Sequence, residues 1–152
     1  MNWIIRNTSK IEFHTNLNEI LKPISADLEN YNWFLCDLDF MSDSPLPINF
    51  DKDYFILKNE DFQKIADSRT QIIWGVISAV PKSFAVEVDT ENLPFVEGND
   101  LVWENGNLQV NNSEIEIIAF DSSYTIVKFT NQSLSEKFKN YFEEAIELEK
   151  FK

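Results

Sequence analysis

The segment EIEIIAFDSSYTIVKF, residues 114–129, is the stretch that says most about the fold of this chain. Two apolar runs rich in β-branched and aromatic residues flank the triplet Asp-Ser-Ser at residues 121–123, whose residue types favour a tight turn. The pattern predicts a β-hairpin. Because Glu114 and Glu116 alternate with isoleucines, we expect one face of the first strand to be polar.

Three earlier segments also have the composition of strands. Residues 70–80 (TQIIWGVISAV) are almost continuously apolar, which is typical of a central strand buried on both faces. Pro81 should end that strand because proline cannot donate to a sheet. Residues 33–40 (WFLCDLDF) are aromatic and then alternating, and residues 53–57 form a shorter apolar run.

The region before the final hairpin predicts further strands. Residues 84–88 (FAVEV) are mostly apolar and end in the alternating triplet Val86, Glu87 and Val88, which favours a short strand. Residues 101–104 and 108–110 flank Asn105-Gly106, a pair that best fits a type I′ turn because both of its central positions need a positive φ. We therefore expect a first hairpin here, ahead of the second.

Two short helices are expected among these strands. One begins near Leu17, with Thr15 or Asn16 as its N-cap, and Pro23 must end or kink it. The other covers residues 60–67, with Asn59 as its cap.

A third helix is expected to close the chain. Ser133 or Ser135 can cap it, and Ser133 with Glu136 fits a capping box. The spacing of apolar residues extends the helix to about Leu148.

The order of these elements predicts one α+β domain over residues 1–152, with a mainly antiparallel sheet and helices packed on one face, including a C-terminal helix. The length fits one domain, and 43% apolar residues are enough for one core despite a net charge of −13.

Several classes of protein are disfavoured by what the chain lacks. Its three glycines are not clustered, so a phosphate-binding loop is not expected, and no cofactor is predicted. A single cysteine, Cys36, excludes an internal disulfide and an all-cysteine metal site. Neither a signal peptide nor a membrane-spanning run is evident, so we expect a cytoplasmic protein that binds no membrane.

The charge distribution is the best functional clue. Residues 83–127 contain nine acidic residues and no lysine or arginine, while all 13 basic residues lie elsewhere. A single-sign stretch of this length attracts cationic partners and repels nucleic acid and anionic membranes.

The first half of this window is the predicted partner-binding surface. It combines acids with Phe84, Phe95 and Trp103, as an interface for a basic protein would, and we expect Trp103 to be partly exposed. The candidate residues are Glu87, Asp89, Glu91, Glu97, Asp100, Trp103 and Glu104.

Catalytic alternatives rest on few residues. Asp37 and Asp39, two positions apart on a predicted strand, could share Mg²⁺, although the solvated face of an outer strand is the favoured interpretation. His14 is the only histidine and has no evident nucleophile partner, which favours a structural role.

The segment EIEIIAFDSSYT at residues 114–125, followed by a strand and an amphipathic helix through Ala145 to Leu148, resembles small bacterial immunity proteins. Such proteins accompany polymorphic or contact-dependent toxins, and the resemblance covers roughly the last 40 residues. It implies a non-enzymatic, cytoplasmic inhibitor of a cognate toxin, and it assigns no functional residue.

The sequence thus leads to three hypotheses. The first is an acidic immunity protein that neutralises a basic toxin domain, such as a nuclease, without being an enzyme. The second is a nucleic-acid mimic that blocks a DNA-binding protein through the same charges. The third is a metal-dependent hydrolase that uses Asp37 and Asp39.

Overall fold

The computed structural model describes residues 1–6, 8–49 and 51–151. Within these residues the centre of the fold is a seven-stranded sheet in which every neighbouring pair is antiparallel, in the order β3-β2-β4-β5-β6-β1-β7. The strands are β1 (Asn2–Ile5), β2 (Tyr31–Met41), β3 (Tyr54–Lys58), β4 (Gln71–Pro81), β5 (Ile115–Phe120), β6 (Tyr124–Phe129) and β7 (Ile146–Glu147).

The three α-helices and the 3-10 helix Lys22–Asn30 lie on one face of the sheet, and we call them the helix layer. The α-helices are α1 (Leu17–Leu21), α2 (Asn59–Asp67) and α3 (Gln132–Tyr141), and 3-10 helices cover Lys22–Asn30, Asp100–Trp103 and Leu148–Lys150. The predicted α+β fold in a single domain is confirmed. No helix in the described ranges has both the length and the apolarity needed to cross a membrane.

The main core lies between the helices and the sheet. Trp33 of β2 stacks on Phe62 of α2 with ring centroids 3.8 Å apart, and both side chains are fully buried. Ile20 of α1 and Phe138 of α3 belong to the same buried cluster. The helices therefore cover one face of the sheet only, and the opposite face is covered by another segment of the chain.

The hairpin predicted from residues 114–129 is confirmed. Its register runs from Ile115 opposite Phe129 to Phe120 opposite Tyr124. Asp121 and Ser122 in the turn have φ of 50° and 54°, a conformation that short polar residues tolerate better than most.

The two long strands are confirmed as well. β4 lies inside the sheet between β2 and β5 and ends at Pro81, as expected. β2 contains irregularities that the sequence did not predict, because its register against β4 shifts on both sides of Asp39.

The expected strand at residues 84–88 and the first hairpin are wrong. Residues 83–113 are all described, and none lies in a strand. Val86 and Val88 pack on the buried side chains of Phe34 and Val110, and Glu87 between them is exposed. The backbone of this segment pairs with no strand. The alternation therefore reflects a segment lying on a sheet face rather than in the sheet.

The Asn105-Gly106 pair does form a turn, but not the expected one. The amide of Asn107 donates to the carbonyl of Glu104 at 3.3 Å across it. Gly106 has a φ of 85°, whereas Asn105 is not among the residues with positive φ, so the turn is not type I′. Its first flank is the 3-10 helix Asp100–Trp103.

The closing helix is shorter than expected and starts at a different cap. Asn131, not Ser133 or Ser135, caps α3, because its side chain accepts from the amide of Leu134 at 3.2 Å. The helix ends at Tyr141 rather than near Leu148, since residues 146–147 pair with β1 instead.

Helix α2 also differs at its start. Asn59 is the first helical residue rather than the cap, and its Oδ1 accepts a hydrogen bond of 3.0 Å from Nε1 of Trp33. The buried indole N–H needs this partner. At α1 the alternative Asn16 is confirmed as the cap.

Candidate partner-binding surface

The sheet face opposite the helices is covered by the connection between β4 and β5. We call this connection, residues 83–113, the acidic cover. Val96 and Val102 of the acidic cover are fully buried against Ile118 of β5 and Ile126 of β6. Farther along, Val110 packs against Phe34. The acidic cover is therefore a packed layer of the fold.

A buried lysine fastens the acidic cover to the sheet. Lys128 of β6 is fully buried, and its ammonium donates to three carbonyl oxygens, those of Leu101 at 3.0 Å, Glu104 at 3.1 Å and Asn107 at 2.7 Å. An ammonium has three donors, so this arrangement satisfies all of them. It also binds carbonyls at the C-terminal end of the 3-10 helix, where a cation is favourable.

Glu116 lies beside Lys128 and binds a second part of the acidic cover. The two residues are opposite each other in the hairpin, with Oε1 of Glu116 3.8 Å from Nζ of Lys128. Oε2 of Glu116 accepts a hydrogen bond of 2.7 Å from the amide of Gln109. Glu116 makes this face of β5 polar, as its alternation with isoleucines predicts, but the acidic cover excludes water from that face.

Burial shifts the pKa values of both members of this pair. It raises the pKa of Glu116 to about 7, although the Gln109 amide and the Lys128 ammonium favour the carboxylate. Burial likewise lowers the pKa of Lys128, against the attraction of Glu116 and Glu104.

Asp37 provides a third attachment. It has a φ of 55° where the register of β2 shifts, and its Oδ2 accepts a hydrogen bond of 2.9 Å from the amide of Val96. Asp39 is exposed beside it. Among the residues that the structure describes, no three histidine, cysteine, aspartate or glutamate side chains come together as a metal site would require.

The predicted acidic residues lie on the outside of the acidic cover. Six carboxylates there are exposed: Glu87, Asp89, Glu91, Glu97, Asp100 and Glu104. Two of them have structural partners, since Oε2 of Glu87 accepts from Asn111 at 3.3 Å and Oδ2 of Asp89 accepts from the side chain of Asn92 at 3.1 Å. The first half of the window thus exposes six carboxylates and contains no lysine or arginine.

The remaining acids of the window are separated from that surface. Glu114 is half-buried and accepts a hydrogen bond of 2.6 Å from the hydroxyl of Tyr31. Glu116 lies beneath the acidic cover, and Asp121 is in the turn of the β5–β6 hairpin. A charge count along the sequence cannot distinguish these environments.

Large apolar side chains are exposed among the acids. Phe84, Phe95 and Leu101 are 48%, 47% and 45% exposed. The sequence analysis named both phenylalanines as interface candidates. It did not name Leu101, because it assigned this residue to a predicted strand. Exposed apolar groups beside acids are the composition of a protein-binding surface.

Trp103 is half-buried, as expected, and it packs against aromatic residues beside the turn of the β5–β6 hairpin and near residue 151. Its ring meets Phe120 edge-on at 4.9 Å and stacks on Phe151 at 6.1 Å. Only part of the indole is therefore available to a partner.

Of two residues with reactive side chains, Cys36 is buried and His14 is half-buried. Cys36 is buried, and burial raises the pKa of its thiol to about 11, so it stays protonated at neutral pH. Desolvation lowers the pKa of His14.

Comparisons with protein-family models, curated proteins and solved structures found no match. The features of the acidic cover that bear on function are its burial against the sheet, its exposed carboxylates and its exposed apolar side chains.

Proposed function

We propose that this protein is a non-enzymatic binding protein that recognises a basic protein partner through the acidic cover. One observation carries the proposal: six exposed carboxylates and three exposed large apolar side chains share a 31-residue segment with no lysine or arginine, residues 83–113. Packing against the sheet holds this segment in place, so little ordering is required when a partner binds.

The two kinds of side chain have different roles in binding. The carboxylates increase the rate at which a cationic partner arrives, because a surface of one sign steers diffusion. Phe84, Phe95 and Leu101 lose water contact in the complex and slow its dissociation.

Within this proposal, the partner is a cationic toxin domain and the protein is its immunity protein. The resemblance of residues 114–125 and the following helix to immunity proteins supports this class, as does the acidity of the chain. A nuclease toxin binds phosphates through lysine and arginine. An acidic cover can occupy that surface and occlude the nuclease active site.

The test is capture of the partner from the native lysate at low salt. The wild-type protein is compared with a triple variant, Glu91→Lys, Glu97→Lys and Glu104→Lys, whose side chains are exposed and accept no hydrogen bond described in the structure. Reversing these charges should weaken binding of the captured protein at least tenfold and reduce the dependence of its affinity on salt.

A matched control reverses three exposed acids in the helix layer, Glu29, Glu60 and Glu136, with the same change in net charge. This control should retain the wild-type affinity for the captured protein. Equal losses in the two triple variants would show that net charge, and not the acidic cover, governs binding.

A further inference from the structure

A cleft of about 420 Å³ lies within the acidic cover, between residues 87–94 and residues 109–111. Its volume falls in the range of roughly 300–1,000 Å³ that is usual for ligand-binding clefts. We call it the Glu87 cleft. Its accessible apolar lining is formed by the half-buried Val88, Leu93 and Pro94, with the buried Phe34 and Val110 beneath, and its polar lining includes Glu87, Asp89, Asn92 and Asn111.

The charge of the Glu87 cleft is uniform. Glu87 and Asp89 contribute two carboxylates, and no basic side chain lines it. A neighbouring cleft shares Leu93 and Pro94 as a wall, but Lys52 lines that one together with its carboxylates. Of the two, only the Glu87 cleft is fully complementary to a cation.

The carboxylates of the Glu87 cleft are held in position. The side chain of Asn111 donates to Glu87 from the opposite side of the cleft at 3.3 Å. Asp89 accepts from the amide of Glu91 and from the side chain of Asn92, both at 3.1 Å. These bonds lower the pKa of Asp89, which keeps it ionised at mildly acidic pH.

We propose that the Glu87 cleft receives an arginine side chain of the basic partner. The aliphatic stem of an arginine would lie on Val88, Leu93 and Pro94, as long basic side chains commonly do on apolar surface. Its guanidinium has five donors in a planar fork, which suits carboxylate and amide oxygens around one opening. The inference rests on the proposed function and identifies an anchor within it.

The probe is the peptide acetyl-Gly-Arg-Gly-amide, titrated into the ¹⁵N-labelled protein and followed by NMR. Saturable shifts should be confined to amides around the cleft, in residues 87–94 and 109–111. The same peptide with neutral citrulline should produce none of these shifts. A lysine peptide should bind at least threefold more weakly, because an ammonium cannot make the forked contact.

The variant Glu87→Gln/Asp89→Asn should raise the dissociation constant of the arginine peptide at least tenfold, and Glu87→Gln alone should raise it by a smaller factor. The matched control Glu29→Gln/Glu60→Gln removes two exposed charges from the helix layer, away from the cleft, and should bind like wild type. The proposal is overturned if the citrulline peptide binds equally, if lysine binds as tightly as arginine, or if the two double variants behave alike.

This experiment is separate from the test of the proposed function, which uses Glu91, Glu97 and Glu104. Loss of partner binding in that triple variant, together with no effect of the Glu87 and Asp89 changes on the arginine peptide, would refute the cleft alone. Loss of arginine binding in the cleft variant without any partner binding at the acidic cover would refute the proposed function.

Discussion

Lys128 and Glu116 are the residues on which the acidic cover depends most. Both are fully buried between that segment and the sheet, and together they bind four backbone groups of it. Removing one member should leave the other member and several backbone groups without partners. Such a change should destabilise the protein, because a buried charge without partners is costly.

We expect Lys128→Met to lower the free energy of unfolding by about 3–5 kcal/mol, the usual effect of breaking a buried ion pair. Denaturant unfolding measures this change. Lys137→Met is the control, because Lys137 is an exposed lysine in an ion pair with Asp27 and its loss should cost under about 1 kcal/mol. Similar effects of the two changes would mean that Lys128 does not fasten the acidic cover.

The raised pKa of Glu116 predicts a pH dependence. A carboxyl whose pKa rises from 4.5 to about 7 on folding gives stability that is complete below pH 4.5 and is lost as pH rises through 7. Glu116→Gln removes this loss. The free energy of unfolding of the variant relative to wild type should therefore increase between about pH 4.5 and 8, by about 3 kcal/mol.

Unfolding at a series of pH values tests this expectation. Glu29→Gln, at an exposed position in the helix layer, controls for the loss of one negative charge. If the difference between Glu116→Gln and wild type were constant from pH 4.5 to 8, Glu116 would not be held in the water-excluded environment described above.

At the level of elements, the sequence predicted those strands that are determined by the local pattern of apolar and polar residues. The β5–β6 hairpin, β2 and β4 are continuous apolar or alternating runs bounded by turn residues, and all three are confirmed. The acidic cover was not predicted, because alternating Val86 and Val88 suit a paired strand as well as a segment docked on a sheet. Only long-range packing distinguishes these cases.

The same limit applies to the buried pair. Glu116 and Lys128 lie opposite each other in the predicted hairpin, so their proximity could have been inferred from its register. Their burial could not, because it depends on residues 83–113 folding back over the sheet. Likewise, asparagine is a residue type that commonly caps helices, so the sequence favours Asn59 as a cap. Its side chain instead accepts a hydrogen bond from the buried indole of Trp33, a contact that local sequence cannot predict.

Asp37 provides a test of how one part of the acidic cover is held. Asp37→Ala removes the acceptor for the Val96 amide and places alanine at a φ of 55°, which it tolerates poorly. Hydrogen exchange at residues 93–97 should become at least tenfold faster. Asp37→Asn retains an acceptor and a residue that adopts this φ, so its exchange should remain near wild type. Unchanged exchange in the alanine variant would contradict this role.

For the whole molecule, the net charge of −13 is unevenly distributed. The helix layer contains basic residues that pair with acids, as in the ion pairs Lys64–Asp61 and Lys137–Asp27. The acidic cover has no basic residue of its own, and its buried partner Lys128 belongs to the sheet. The two faces of the sheet therefore present different surfaces to a partner, and this asymmetry underlies the proposed function.

The most direct measurement of that proposal is hydrogen exchange of the protein with and without its captured basic partner, followed by mass spectrometry. The partner should slow hydrogen exchange within residues 83–113, while the amides of α1, α2 and α3 should exchange as fast as in the free protein. Protection confined to the helix layer, with residues 83–113 unchanged, would contradict the proposal.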